Sequence, residues 1–467
     1  MILPPEITAL IASLQRELEA LRAENAELRR RLGLDSSTSS KPPSSDGLKK
    51  KPVSLREPSG RPSGGQTGHK GATLRQSAEP DRIVTHEAAL CRHCGSGLSR
   101  AMAGGLERRQ VFDLPERLIA VTEHQGLVYA CAGCGGRTRA AFPEEVRGPA
   151  QYGERLRAAA VYLHVQHLIP EDRTAEALAD LIGAEGLCAA SVAEWTRRQA
   201  GALAPVTKRI GALVRAARVR CLDETGLRIG GKTQWLHTVA TQTLTLYRAC
   251  DKRGAMPDGL EGGVVVHDGF KPYRKLDGPA QPPAHALCNA HHLRELKALI
   301  QFDNEPWAAA MRDCLRDACN AVREARARGE TVLPPAALET FHARYWEALR
   351  EGLAWHRGLP RLKKAGVKSG RMKRRTGHNL LLRLHKFKDD VLRFLIDFEV
   401  PFTNNLAEQA LRMMKVKMKI SGGFRTTEGA HAFAALRSVI ATARKQRRNI
   451  LKTLADDPQT SARAFTA

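Results

Sequence analysis

Negative charge is scarce in this chain, and long apolar runs are missing. Its 467 residues carry 49 aspartates and glutamates against 74 lysines and arginines, a net charge of +25. So basic a chain favours a polyanionic partner, nucleic acid first and an acidic membrane surface second. No stretch approaches the roughly 18 uncharged apolar residues that a spanning helix needs, so no membrane insertion is expected. The opening Met1-Ile2-Leu3-Pro4-Pro5-Glu6 lacks a basic segment followed by an apolar one. No signal peptide is therefore expected, and the chain reads as cytoplasmic. In that compartment its ten cysteines are thiols or metal ligands rather than disulfides. Wholesale disorder is excluded, because 42% of the residues are hydrophobic.

The first segment is a short heptad seam. Ile7, Leu14, Leu21 and Leu28 recur every seven residues, with Ile11, Leu18, Asn25 and Leu32 at the alternate core position. A lone core asparagine fixes register and favours a parallel pair. Glu17 and Glu24 face Arg22 and Arg29 across such a pair, so a homodimer or higher oligomer is expected; the alternative is one amphipathic helix packed on its own protein. Residues 34–80 then lose apolar periodicity and turn rich in Ser, Pro, Gly and Lys, which makes them a linker, either a basic arm along DNA or a plain spacer.

Next come Cys91-x-x-Cys94 and Cys131-x-x-Cys134, each followed by glycine. Two such knuckles can close a tetrahedral thiolate site around a structural Zn²⁺, with strand-like runs between them as in a zinc ribbon. Residues 152–205 are helical by pattern. Two short helices about a glycine-bearing turn, the second carrying Arg197 and Arg198, fit a helix-turn-helix and fit any small helical bundle equally.

From Val219 the apolar period changes to that of strands. Three runs (219–225, 234–240 and 244–248) are joined by short turns, as in an antiparallel meander. Gly263 to Gly269 and His285 to Cys288 add two more strands, the second leading into a helix. This is the strand sequence of an RNase H-like fold. Asp223 ends the first strand and Asp268 the fourth, and neighbouring strands in that fold bring both carboxylates to one edge. Hard oxygen donors so arranged suit Mg²⁺. Glu408, on a helix opened by Thr403-Asn404-Asn405, supplies a third acid, with Arg412, Lys415 and Lys419 along the same stripe as phosphate clamps. The competing reading makes Asn405-x-x-Glu408 a capping box and Glu408–Arg412 a surface ion pair. Between 361 and 375 lie eight lysines and arginines, among them Arg371, Lys373, Arg374 and Arg375, which read as a basic loop that orders on DNA or as a solvated loop.

These residues together resemble a known family. Gly64-Gly65-Gln66-x-Gly68-His69-Lys70-Gly71, the two knuckles, Asp223-Glu224-Thr225, Asp268-Gly269-x-x-x-Tyr273, Cys288-x-Ala290-His291 and Asn404-Asn405-x-x-Glu408 occur in the order found in insertion-sequence-66 transposases. The resemblance implies a DDE transposase with Asp223, Asp268 and Glu408 as its acidic triad, holding two Mg²⁺ (or Mn²⁺) ions. It also implies DNA partners, namely element terminal repeats and target DNA, small accessory proteins encoded alongside, and a bacterial, nucleoid-associated setting. Cys288-Asn289-Ala290-His291 looks like the Cys-x-x-His of several DDE superfamilies, which would place His291 beside the scissile phosphate; the rival readings are a second zinc ligand set and plain packing at a helix start. Gln409 stands where the family usually has arginine, and its arginine-rich run after the histidine is reduced to Arg294.

The expected architecture is therefore a multi-domain α/β chain. A coiled coil (1–33), the linker (34–80), a zinc ribbon (81–147) and a helix-turn-helix-like domain (148–214) come first. An RNase H-like core follows, in two parts (215–300 and 400–450) split by a helical insertion (301–399), and a tail (451–467) ends the chain. Two other functions share these features: a hydrolytic nuclease of the same fold, and a non-catalytic zinc-containing DNA-binding regulator.

Overall fold

A computed structural model of the chain describes residues 4–39, 74–98, 105–115, 118–255, 257–276, 281–360 and 374–466. Most of the expected linker, with its Gly64–Gly71 motif, and most of the basic loop, with Arg371 and Lys373, lie outside the described residues. Two compact units emerge, one of residues 1–55, 142–180 and 185–467, the other of 56–141 and 181–184. No helix is long and apolar enough to cross a membrane among the described residues.

In the larger unit, helix α1 (Pro5–Gly33) carries the heptad seam, and Leu14, Leu21, Leu28 and Leu32 all lie exposed along it. Its C-terminal end is anchored. Arg30 donates to Thr376 Oγ1 at 2.7 Å and pairs with Asp303 at 3.1 Å, and Gly33 lies so close to the Phe302 ring that a side chain there would clash.

The smaller unit holds the two knuckles. Strands β1 (Val128–Ala130) and β2 (Arg137–Arg139) pair antiparallel around the second. Both knuckles close in the same way: Cys91 N–H donates to Ser96 O and Cys131 N–H to Gly136 O, each at 2.8 Å. Gly95 and Gly135 take up φ of 74° and 71°, which glycine adopts without a Cβ penalty. No described side chain between residues 74 and 141 is buried, so this segment has no apolar core of its own.

Helices α2 (Glu154–Gln166), α3 (Glu171–Ile182), α4 (Ala189–Ala202) and α5 (Ala204–Ala216) follow. Helix α4 begins at Ala189, with Cys188 at its N-cap position. The chain then enters a five-stranded mixed sheet: β3 (Val219–Ile229), β4 (Lys232–Ala240), β5 (Thr245–Cys250), β6 (Val264–His267) and β7 (Ala284–Leu287). Their order is β5-β4-β3-β6-β7. The expected meander is there: β3, β4 and β5 pair antiparallel, with Gly230 and Gly231 at positive φ in the first hairpin turn. Strands β6 and β7 add on parallel. All four residues of β6 are buried, which explains its unbroken Val-Val-Val run.

Alternation along the strands feeds two cores, one on each face. Leu222, Val239 and Val265 belong to the first, and Cys221, Ala240, Val264 and Val266 to the second. The second core is completed by α6 (Asn289–Ala298), α7 (Pro306–Ala327), α8 (Pro335–Gly358), α9 (Thr376–Lys386) and α10 (Lys388–Ile396). The segment read as an insertion is thus the cover of one sheet face.

The first core is completed by α2 and α5, by α11 (Asn405–Ser421) and α12 (Thr427–Lys445), and by α13 (Ile450–Ala455) and α14 (Pro458–Arg463). Hydroxyls of α12 satisfy the free edge of β5, since Tyr247 N–H donates to Ser438 Oγ and Thr245 N–H to Thr442 Oγ. The last residues are not a loose tail, because Leu454 and Phe465 are fully buried in this core.

Candidate active site

Asp223 lies in the middle of β3 and not at its end as expected, because the strand runs on through Leu227 and Ile229 into the hairpin; Asp268 is, as expected, the residue after β6. The parallel register pairs Val219 with Val264 and Cys221 with Val266, so two steps further Asp223 stands level with Asp268. Glu408 is in the first turn of α11. Asn404 pins that turn in place: its side-chain amide donates to Leu222 O at 2.7 Å, and its backbone N–H to Cys288 Sγ at 3.1 Å. The Asn404 side chain makes no cap hydrogen bond, so it is spent on β3. Glu408 forms no ion pair with Arg412 among the described residues, so neither part of the competing reading accounts for this acid.

Asp223 feels both of the other acids. Burial first, then Glu224, Asp268 and Glu408, push the Asp223 carboxyl up to about 8, against the single opposing N–H of Glu224 at 2.9 Å. Among the described residues neither Asp223 nor Asp268 has a cationic partner in ion-pair contact. Asp268 accepts only the Phe270 N–H, at 2.8 Å. Among the described residues the oxygens of Asp223, Asp268 and Glu408 do not meet within 4.8 Å as one ligand group, although carboxylates without an internal cation are the donors a hard divalent ion takes.

The surroundings hold this cluster rigidly. Glu224, 2% exposed, accepts from Arg253 Nε at 2.9 Å and from the Tyr273 hydroxyl. The Arg253 guanidinium in turn stacks over Trp235 and Phe270. The motif residues Glu224 and Tyr273 therefore brace the site from behind, a role that sequence spacing did not reveal. His267 fixes the loop after β6: its Nδ1 accepts Gly269 N–H at 3.0 Å, which leaves Nε2 to donate to His285 Nδ1, also at 3.0 Å. Burial holds the His267 pKa down to about 3, so the ring is neutral.

His291, on the first turn of α6, points Nδ1 at Glu408 Oε1 from 3.9 Å, and burial lowers its pKa below the usual value. Cys288 lies beside it, its thiol directed at the same Glu408 oxygen at 3.8 Å. That contact joins residues 120 positions apart, and only the resemblance to Cys-x-x-His hinted at it.

The expected DNA contacts divide into two groups. Arg412, Lys415 and Lys419 are exposed on α11 and make no ion pair among the described residues, and Arg374 is exposed ahead of α9. Arg375 donates instead to Pro360 O at 2.8 Å, and Arg197 and Arg198 are both paired with Glu194. In the smaller unit, hydrogen bonding with Ser96, and then with Cys91, holds the Cys94 thiol below the ordinary cysteine value, and hydrogen bonding with Cys134 and Gly133 does the same for Cys131. Among the described residues the four sulfurs do not meet as one ligand group.

The mixed α/β core carries Asp223 on its central strand and Asp268 just after the neighbouring one, and comparison with known families gives the class of protein. The model of the Transposase IS66 family matches residues 149–432, well over half of the chain. The protein belongs to that family, which makes it a transposase by kinship and implies binding to DNA. Residues 2–75 match a family of unknown function, DUF6444. No curated protein matches the chain.

Proposed function

We propose that the protein is a DDE transposase with an RNase H-like core, which cuts at the ends of its element and joins them to target DNA. The observation that carries this reading is Asp223 on β3, level with Asp268 after β6 in the parallel register, its carboxyl pushed up by burial and in part by Asp268 and by Glu408 of α11, with no ion-pair partner for Asp223 or Asp268 among the described residues. The family implies divalent metal use, and the three carboxylates would hold Mg²⁺ or Mn²⁺. Bound there, such ions supply charge neutralisation at the attacked phosphate and lower the pKa of a bound water.

The chain's own residues supply position. Asp223 would give up its proton in the field of a bound cation, because its raised pKa comes from burial and from like charges that a cation would offset. Tyr273 and Arg253 keep Glu224 from turning into the cluster. The neutral His291 ring, with an unpartnered nitrogen, accepts a hydrogen bond from the attacking water or turns to the scissile phosphate. Arg412, Lys415 and Lys419 take phosphates along the exposed side of α11, and the basic residues Arg371, Lys373 and Arg374 are further phosphate contacts. Water is the first nucleophile and releases a 3′-hydroxyl; that hydroxyl then attacks target DNA in line, so no serine or tyrosine adduct forms.

The remaining modules follow from the same reading. Cys91, Cys94, Cys131 and Cys134 hold a structural Zn²⁺ once the two knuckles close on it. Support comes from their matched loops and from the lack of a buried core around them, since a segment without a core needs a metal to fold. Helix α1 pairs two chains through its exposed seam, and α3–α4 bear on DNA through Arg197 and Arg198.

The test is strand transfer in vitro with terminal DNA, a supercoiled target and Mg²⁺. Joined products from the wild type and none from Asp223→Ala or Glu408→Gln are expected. Cutting without joining would favour a hydrolytic nuclease, and binding unaffected by either substitution would favour a regulator.

A further inference from the structure

We infer that Cys288, His291 and Glu408 form a second metal site, selective for a soft divalent cation of the zinc and cadmium class, whose filling withdraws Glu408 from the catalytic acids. The inhibitory half of this inference rests on the triad proposed above; the site itself does not.

The donors come from two elements that Asn404 ties together: Cys288 and His291 at the start of α6, and Glu408 in the first turn of α11. One atom from each lies within 4.8 Å of the others, and no other such group occurs among the described residues. Sγ and Nδ1 stand 3.8 and 3.9 Å from the same Glu408 oxygen. A tetrahedral ion with bonds of about 2.0–2.3 Å spaces its ligands about 3.3–3.8 Å apart, so the two edges to Glu408 are already close to that spacing and a modest contraction of the three donors completes the site.

Two features favour a metal over simple packing. His291 Nδ1 is buried and has no hydrogen-bond partner, a loss that coordination removes. Cys288 Sγ already accepts the Asn404 N–H at 3.1 Å, the kind of amide contact that steadies a metal-bound thiolate. The donor set also decides which metal. Mg²⁺ prefers oxygen and keeps its waters, so a buried thiol offers it nothing. A soft ion displaces the thiol proton to solvent and binds sulfur, nitrogen and one carboxylate oxygen. Three protein ligands leave the fourth position to water or a phosphate oxygen. Because Oε1 of Glu408 is the shared donor, the soft ion and the catalytic cation compete for this side chain.

Cobalt titration of the full-length protein tests the site, read by its thiolate charge-transfer and visible absorption. The wild type should bind one more Co²⁺ per chain than Cys288→Ala and one more than His291→Gln, with circular dichroism checking that both variants fold. Zn²⁺ should bleach the difference spectrum, whereas a large excess of Mg²⁺ should not. The knuckle cysteines contribute equally to all three proteins and cancel. Asp268→Asn should retain the extra cobalt while losing strand transfer. Equal cobalt binding by wild type and both variants overturns the inference, as does loss of the extra cobalt in Asp268→Asn. Strand transfer surviving in Asp268→Asn would instead sink the triad and leave the soft-metal site standing.

Discussion

Two buried carboxylates are handled in opposite ways by this molecule. Glu305, at the start of α7, accepts from Trp307 Nε1 at 2.6 Å and faces His356 Nε2 at 3.1 Å. Gly377 sits so close to it that any side chain there would collide with the carboxylate. Asp223 has one backbone N–H and, beyond that, the acids Glu224, Asp268 and Glu408. A carboxylate buried for stability comes with its own donors. One buried among other acids costs stability until a cation arrives, and that difference marks the second as functional.

The sharpest way to break this contrast is to remove each acid in turn. Asp223→Asn is expected to lower strand transfer by about a thousandfold or more, the several kcal/mol a metal ligand supplies. In EDTA the same variant should melt higher than the wild type, as it relieves like-charge crowding. Glu305→Ala should do the reverse. It leaves the Trp307 N–H and the His356 ring unpaired and should destabilise by about 2–3 kcal/mol, with activity per folded molecule unchanged. Urea unfolding and strand transfer on the same preparations check both, and a Glu305 variant that is stable but inactive would dissolve the distinction.

A pH series sharpens it further. Asp223 titrates near 8 in the fold against 3.8 in the open chain, so between these values the folded state holds the extra proton. The contribution is fully present below about pH 4 and lost as pH rises through about 8, so metal-free stability should fall across that window. Mg²⁺ should restore it, most strongly at the alkaline end, and Asp223→Asn should flatten the slope. The smallest effect is expected from Tyr273→Phe, which removes one brace from Glu224 and should slow strand transfer by about tenfold or less, with metal dependence intact.

How much of this was legible in the sequence differs between the same two regions. Asp268 could be read because it ends a hydrophobic strand, and Asp223 because it interrupts one that then runs on to Ile229, while the strand order needs only local patterns. The meander, β6 and β7 were legible for the same reason. Glu305 was not, because its partners Trp307, His356 and Gly377 meet only when α7, α8 and α9 pack. The brace on Glu224 depends on Tyr273, 49 positions away, and the Cys288–Glu408 contact on folding across 120. The terminal helices α13 and α14 are too short to show a helical period, yet burying Phe465 and Leu454 makes them part of the first core.

The most direct test of the central claim is a change of metal preference at Asp268, which is exposed and can accept a cysteine without repacking. Asp268→Cys is predicted to be inactive in strand transfer with Mg²⁺ and to regain activity with the more thiophilic Mn²⁺, while Asp268→Ala stays inactive with both. A folded Asp268→Cys protein that works equally well with Mg²⁺ and Mn²⁺, or an active Asp268→Ala, would contradict the assignment of this residue as a metal ligand.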